Sequence, residues 1–163
     1  MTTNLWINHV MRDVKEFIGV YSVDNIKTPS SYPSYTIVNF SPVHFPGTHF
    51  VTLMFITKNL CIYFDPLNLS FVPPEIQKFM QEHSNYIHII RYPIQNPLSG
   101  FCGFYCILVI LLHINNIPLY NSIYSFPRLS LHNDDKCIRT ITKLIKVYYL
   151  ESKFMCTKSC NKG

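Results

Sequence analysis

Apolar residues at positions 7, 10, 11, 14 and 18 recur at the three-and-four spacing of a helix with one buried face, which predicts a helix over Leu5 to Ile18 ended by Gly19. A polar stretch with Pro and Ser, Lys27 to Ser34, reads as a loop. Three β-branched and aromatic runs then predict strands over Tyr35 to Phe40, Phe50 to Ile56 and Leu60 to Phe64. The last two are separated only by Thr57-Lys58-Asn59 and form a hairpin. Pro73-Pro74-Glu75 opens a helix whose apolar side carries Ile76, Phe79, Met80 and His83, and Tyr86 to Tyr92 is a further strand broken by Pro93. The apolar run Phe104 to Leu112 predicts a buried helix starting near Cys102, with Pro118 as its far limit. Residues 118 to 133 read as an irregular connection. Asn133-Asp134-Asp135 then caps a helix to about Leu150, with an inward line at 138, 141, 145 and 148. Strands grouped between helices, without regular βαβ alternation, predict an α+β domain spanning residues 1–163, a mixed sheet packed against helices.

Composition narrows this picture. Charged residues are only 14% of the 163 and aromatics 15%, enough apolar content to fold a core and too little charge for a disordered chain. The longest apolar run falls short of the roughly 20 residues a bilayer requires, and the first residues lack a basic-then-apolar leader, so neither a membrane span nor a secretion signal is expected. Six cysteines without a small-domain spacing pattern, and no leader, predict reduced thiols in an intracellular compartment.

Four residues carry candidate chemistry. Cys102 falls at the start of the buried helix, where the dipole and the open N–H groups of the first turn stabilise an anionic sulfur. Gln95, seven residues upstream in QNPLSGFCG, is placed to return through a Pro/Ser/Gly turn and donate to a developing oxyanion. His49 opens one strand of the hairpin and Asp65 closes the other, which brings an imidazole beside a carboxylate that orients it. His44 is a rival base, but it lies between Pro42 and Pro46, away from the strand.

The order His49, Asp65, Gln95, Cys102, the Gly47-Thr48-His49-aromatic opening, the YFDPL after the second strand and the Gln-to-Cys interval resemble the adenovirus-type cysteine proteases, the adenain family. The wider clan includes the Ulp/SENP proteases of ubiquitin-like proteins. The resemblance implies a papain-like cysteine protease fold with catalytic His49, Asp65 and Cys102 and Gln95 in the oxyanion hole. It implies endopeptidase cleavage of viral precursor proteins after small residues, in the host nucleus and the virion. An isopeptidase for ubiquitin-like proteins, or a non-catalytic protease-fold protein that binds DNA or another partner, are the competing expectations. Phe50 stands where family members usually carry Trp, and Asp65 where adenoviral members have Glu. The chemistry requires no cofactor, but the resemblance implies DNA and a viral activating peptide as accessory factors. No cysteine lies between Cys61 and Cys102, so the family's disulfide link to that peptide is not carried over.

Charge and the remaining thiols add two expectations. Residues 136 to 163 hold seven basic groups against Glu151, a balance of +6, and residues 1 to 135 carry −1, so the formal charge of +5 comes from the C-terminal stretch. Lys136, Arg139, Lys143 and Lys146 form a stripe that is either a solvated helix face or an edge for the phosphates of non-specifically bound DNA. Cys102, Cys106 and His113 share a helix, yet the segment is otherwise apolar and lacks further ligands, so Cys106 is expected in the core and no metal site is expected. Cys156 and Cys160, in a Lys-rich tail, are left open between metal, disulfide and free thiol.

Overall fold

The computed structural model describes residues 3–160, with side chains as far as Tyr148. Its architecture is α+β, built on a five-stranded mixed sheet. The first helix, α1 (Asn4–Met11), starts at Thr3, whose hydroxyl accepts Trp6 N–H at 3.2 Å, and turns the fully buried Ile7 and Met11 inward. It is shorter than the predicted helix to Ile18. Phe17–Ser22 is instead a strand, β1, parallel to β2 (Ser34–Asn39). Val14 and Ile18 extend the helical spacing by coincidence, whereas the β-branched and aromatic composition of FIGVYS suits a pleated surface. Gly19 lies at a register shift with φ of +131°, a backbone state that other residues rarely adopt, so it serves a bulge rather than a helix end.

β3 (Phe50–Thr57) pairs antiparallel with β2 and with β4 (Leu60–Phe64), and β5 (Tyr86–Ile90) pairs parallel with β4 after the intervening α2 (Pro74–His83). Spatial order follows chain order from β1 to β5. Alternate residues of β3 serve two cores. Phe50 and Met54 face the cluster containing α3 (Cys102–Ile114), while Val51, Leu53 and Phe55 join Ile76 and Met80 of α2 on the other side. Both faces of the sheet are therefore covered, which explains why the strand reads as a continuous apolar run.

α3 is buried from Cys102 to Leu112 except at Phe104, which stacks on Trp6 with ring centroids 4.5 Å apart. Each of its enclosed Leu and Ile side chains stabilises the fold by about 1.5–3 kcal/mol relative to exposure. The connection expected to be irregular contains a short helix, α4 (Leu119–Tyr124), which buries Leu119 and Ile123 against this cluster. The last helix, α5 (Asn133–Cys160), extends past the predicted end near Leu150. Its inward line is Cys137, Ile141 and Leu144, flanked by the partly buried Ile145 and Tyr148, and Ile138 is exposed. The inward line is thus offset from the 138, 141, 145, 148 expected. Among the described residues no helix is long and apolar enough to cross a membrane.

Candidate active site

His49 is delivered by a shaped loop. Asn39, at the end of β2, accepts the N–H of Ser41 at 3.1 Å and of Thr48 at 3.3 Å on its side-chain oxygen, closing the segment that leads into β3. Gly47 is required there, because a Cβ at that position would stand 2.6 Å from Asn39 Nδ2. Phe40 N–H donates to the carbonyl of His49 at 2.9 Å, and the Phe40 ring meets the imidazole edge-on with centroids 5.0 Å apart. His44, in contrast, is exposed on this loop.

The β3–β4 register, Thr52 opposite Phe64, brings His49 and Asp65 to the same end of the hairpin. His49 Nε2 and Asp65 Oδ1 are 2.7 Å apart, and both side chains are buried. Asp65 is itself fixed: Oδ1 also accepts Leu67 N–H and Oδ2 accepts Leu69 N–H, each at 2.9 Å. A carboxylate bonded in this way cannot swing from the ring, and it holds Nε2 as the protonated nitrogen, leaving Nδ1 for another partner.

The thiol of Cys102 lies close enough to the imidazole to contribute to its charge balance. Burial drives His49 toward its neutral form, but the hydrogen bonds and charges of Asp65 and Cys102 outweigh it and raise its pKa from 6.5 to about 9. Cys102 is the first residue of α3, and no side chain caps that helix. Phe104 and Tyr105 N–H donate to the carbonyl of Phe101, so the first-turn donors that can meet an anion at the sulfur end are the N–H groups of Cys102 and Gly103. The arrangement can generate an imidazolium beside a sulfur anion and stabilise both.

Gln95 joins this frame through its backbone. The N–H groups of Ile94 and Gln95 both donate to the carbonyl of Pro66 at 3.0 Å, so the Gln turn is anchored to the residue after Asp65. Its buried side chain donates from Nε2 to Ser99 O at 2.6 Å, while Oε1 is buried without a partner. An amide nitrogen carries two hydrogens, and the second remains to serve a ligand.

Neither a protein-family profile nor a characterised protein sequence matches the chain.

The other candidates separate clearly. Cys106, one turn beyond Cys102, is fully buried, and burial raises its thiol pKa well above the ordinary range. Cys61 and Cys137 are buried free thiols also pushed up by burial, and all four of these cysteines are unbridged. His113 bonds Tyr35, and among the described residues no three candidate ligands gather as a metal site would need. The side chains of Cys156 and Cys160 lie outside the described residues. Of the basic stripe, Arg139, Lys143 and Lys146 are exposed on α5, whereas Lys136 folds back, donating to Ser125 O at 2.6 Å and lying 4.2 Å over the Phe126 ring. Sequence reasoning missed Asn39, Ser99 and the side-chain contacts of Asn133 and Asp134. Only the composition of turns hinted at them.

Proposed function

We propose that this protein is a cysteine endopeptidase of the adenain type on a papain-like fold. The observation that carries the reading is the buried Asp65–His49 pair, a fixed carboxylate on an imidazole whose pKa Cys102 also helps to raise, with that thiol at an uncapped helix start. His49 accepts the thiol proton, and the thiolate attacks the peptide carbonyl carbon. Negative charge on the carbonyl oxygen is met by Gln95 Nε2 and by the N–H of Cys102. The imidazolium protonates the departing amine as the C–N bond breaks, leaving a thioester. His49 then takes a proton from water, whose oxygen attacks the thioester and restores the thiol.

The substrates we infer, on the resemblance stated above, are viral precursor proteins cut after small residues, in the host nucleus and the virion. The basic face of α5 would hold DNA as an accessory factor, and an activating peptide would act without the family's disulfide. Asp65 as the acid, the choice of the Ulp-like branch, favours an isopeptidase for ubiquitin-like proteins as the second reading. Incubation with a peptide library and with ubiquitin-like conjugates tests both, using a thiol-directed peptide probe to follow Cys102. Cleavage of linear peptides after small residues supports the endopeptidase, and release of conjugates alone supports the isopeptidase. Absence of both, with no probe bound, would leave a non-catalytic binding protein.

A further inference from the structure

The turn from Ile94 to Phe101 is held by residues outside the catalytic set. Ser99 takes the Gln95 Nε2–H on its carbonyl at 2.6 Å and the Phe101 N–H on its hydroxyl oxygen at 3.3 Å. It donates that same hydroxyl to Asp134 Oδ1 at 3.0 Å. Tyr105 Oη, in the first turn of α3, donates to the same carboxylate oxygen at 2.8 Å. Beside it, Asn133 is buried, and its Nδ2 donates to Ile94 O at 2.7 Å and to Pro127 O at 2.6 Å. The start of α5 therefore grips the turn at both ends, and one oxygen of Asp134 ties the turn to the helix that begins with Cys102.

We propose that Asn133 and Asp134 are positioning residues for the oxyanion hole, acting through Ile94 and Ser99 to aim Gln95 Nε2. The inference rests on the cysteine-protease reading. One amide hydrogen of Gln95 is fixed on Ser99 O, so the direction of the other depends on where Ser99 stands. Oε1 has no partner to supply a second anchor. The Ser99 hydroxyl in turn depends on Asp134, and a donor displaced by even about 1 Å loses much of its catalytic effect.

The test uses the full-length protein with Asp134→Ala, Asp134→Asn and Asn133→Ala. Asp134→Asn keeps an acceptor oxygen for Ser99 and Tyr105, so its activity should stay near wild type. Asp134→Ala should lower kcat by about tenfold with little change in KM, as expected when only transition-state stabilisation is lost, and Asn133→Ala should act in the same direction. Alkylation of Cys102 by iodoacetamide builds no oxyanion and should keep its wild-type rate. In a Gln95→Ala background, Asp134→Ala should cost nothing further. The side-chain amide signals of Gln95 in nitrogen-15 spectra should shift in Asp134→Ala and not in Asp134→Asn, a readout that needs no turnover. An unchanged kcat, a full additional loss in the Gln95→Ala background, or unmoved amide signals would each overturn the positioning role. If wild-type protein alkylates at Cys102 yet hydrolyses nothing, the protease reading fails, while shifted amide signals would still support the grip of Asp134 on the turn.

Discussion

His49, just before β3, and His113, in the last turn of α3, each lie against an aromatic ring, and their protonation is driven in opposite directions. His113, in the last turn, has its Nδ1 bonded to Tyr35 Oη at 2.8 Å. Burial, then the nearby Glu16, pushes the Tyr35 phenol up to about 12, so it stays protonated and brings no charge to the imidazole. Burial alone therefore decides for His113 and lowers its pKa. Burial also works against charge at His49, but Asp65 and Cys102 reverse the outcome and raise it to about 9. The two cysteines of the same helix repeat the lesson. Cys102 lies near an imidazole, while Cys106, a turn away, is fully buried, and burial dominates the rise of its pKa. A buried histidine or thiol is a common core feature, and a fixed partner of opposite charge is what turns one into chemistry.

Exchanging the members of each pair should break the comparison most visibly. Cys102→Ala and His49→Ala should each abolish peptide cleavage, measured as kcat/KM on a library-selected substrate, with the thermal transition preserved. Cys106→Ala should keep activity and cost about 1 kcal/mol in packing, read by chemical denaturation. Cleavage retained by Cys102→Ala would remove it as the nucleophile. Tyr35→Phe leaves His113 Nδ1 without its hydrogen-bond partner and should cost about 1 kcal/mol of stability while leaving kcat unchanged.

Gln95→Ala should lower kcat by about 10²-fold with less effect on substrate affinity, the behaviour of an oxyanion donor. A rate equal to wild type would exclude Gln95 from the site.

The histidines also predict opposite pH dependences of stability. His49 is raised above its unfolded value, so the folded protein holds the extra proton between 6.5 and about 9, and its contribution is complete below 6.5 and lost as pH rises through about 9. His113 is lowered, so its neutral form supports the fold above 6.5 and support fades as pH falls through its depressed value. Denaturation midpoints across pH should show an alkaline loss that His49→Gln removes and an acid loss that His113→Gln removes. The alkaline limb of kcat/KM should lie near 9 and move down in Asp65→Asn, because the carboxylate is the chief partner sustaining the imidazolium. An alkaline limb unmoved by Asp65→Asn would show that the carboxylate does not set the charge of His49.

Strands β2 to β5 and the middle helices were legible because their signals are local: a continuous β-branched and aromatic run in β3, Pro at the start of α2 and a continuous apolar run in α3. β1 was hidden because a helical spacing ran into it and its identity depends on pairing with β2, a contact between distant segments. α4 is too short for periodicity to register. At the site, the order of His49, Asp65, Gln95 and Cys102 could be read, and hairpin reasoning placed the first two together. Asn133 read as a helix cap, yet its side-chain amide goes to Ile94 and Pro127. The bond to Ile94 joins residues 39 positions apart, and nothing in local composition encodes it.

The smallest expected effect concerns the outer face of α5, which contrasts with the inner face that grips the active-site turn. Arg139, Lys143 and Lys146 are exposed, and Lys136 is occupied with Ser125 and Phe126. If these groups meet phosphates, the protein should bind duplex DNA without sequence preference, and affinity should fall steeply between about 50 and 200 mM salt as counterions are released. Lys143→Glu with Lys146→Glu should weaken binding and make the salt slope shallower, whereas Lys136→Ala should act mainly on stability through its contacts with Ser125 and Phe126. DNA should also raise cleavage of a large basic substrate more than that of a short neutral peptide, since only the former can share the polyanion. A merely solvated helix face predicts DNA binding indifferent to the double substitution, because exposed charges contribute little on their own. That result would remove the stripe as a binding surface while leaving the roles proposed for Cys102 and His49 untouched.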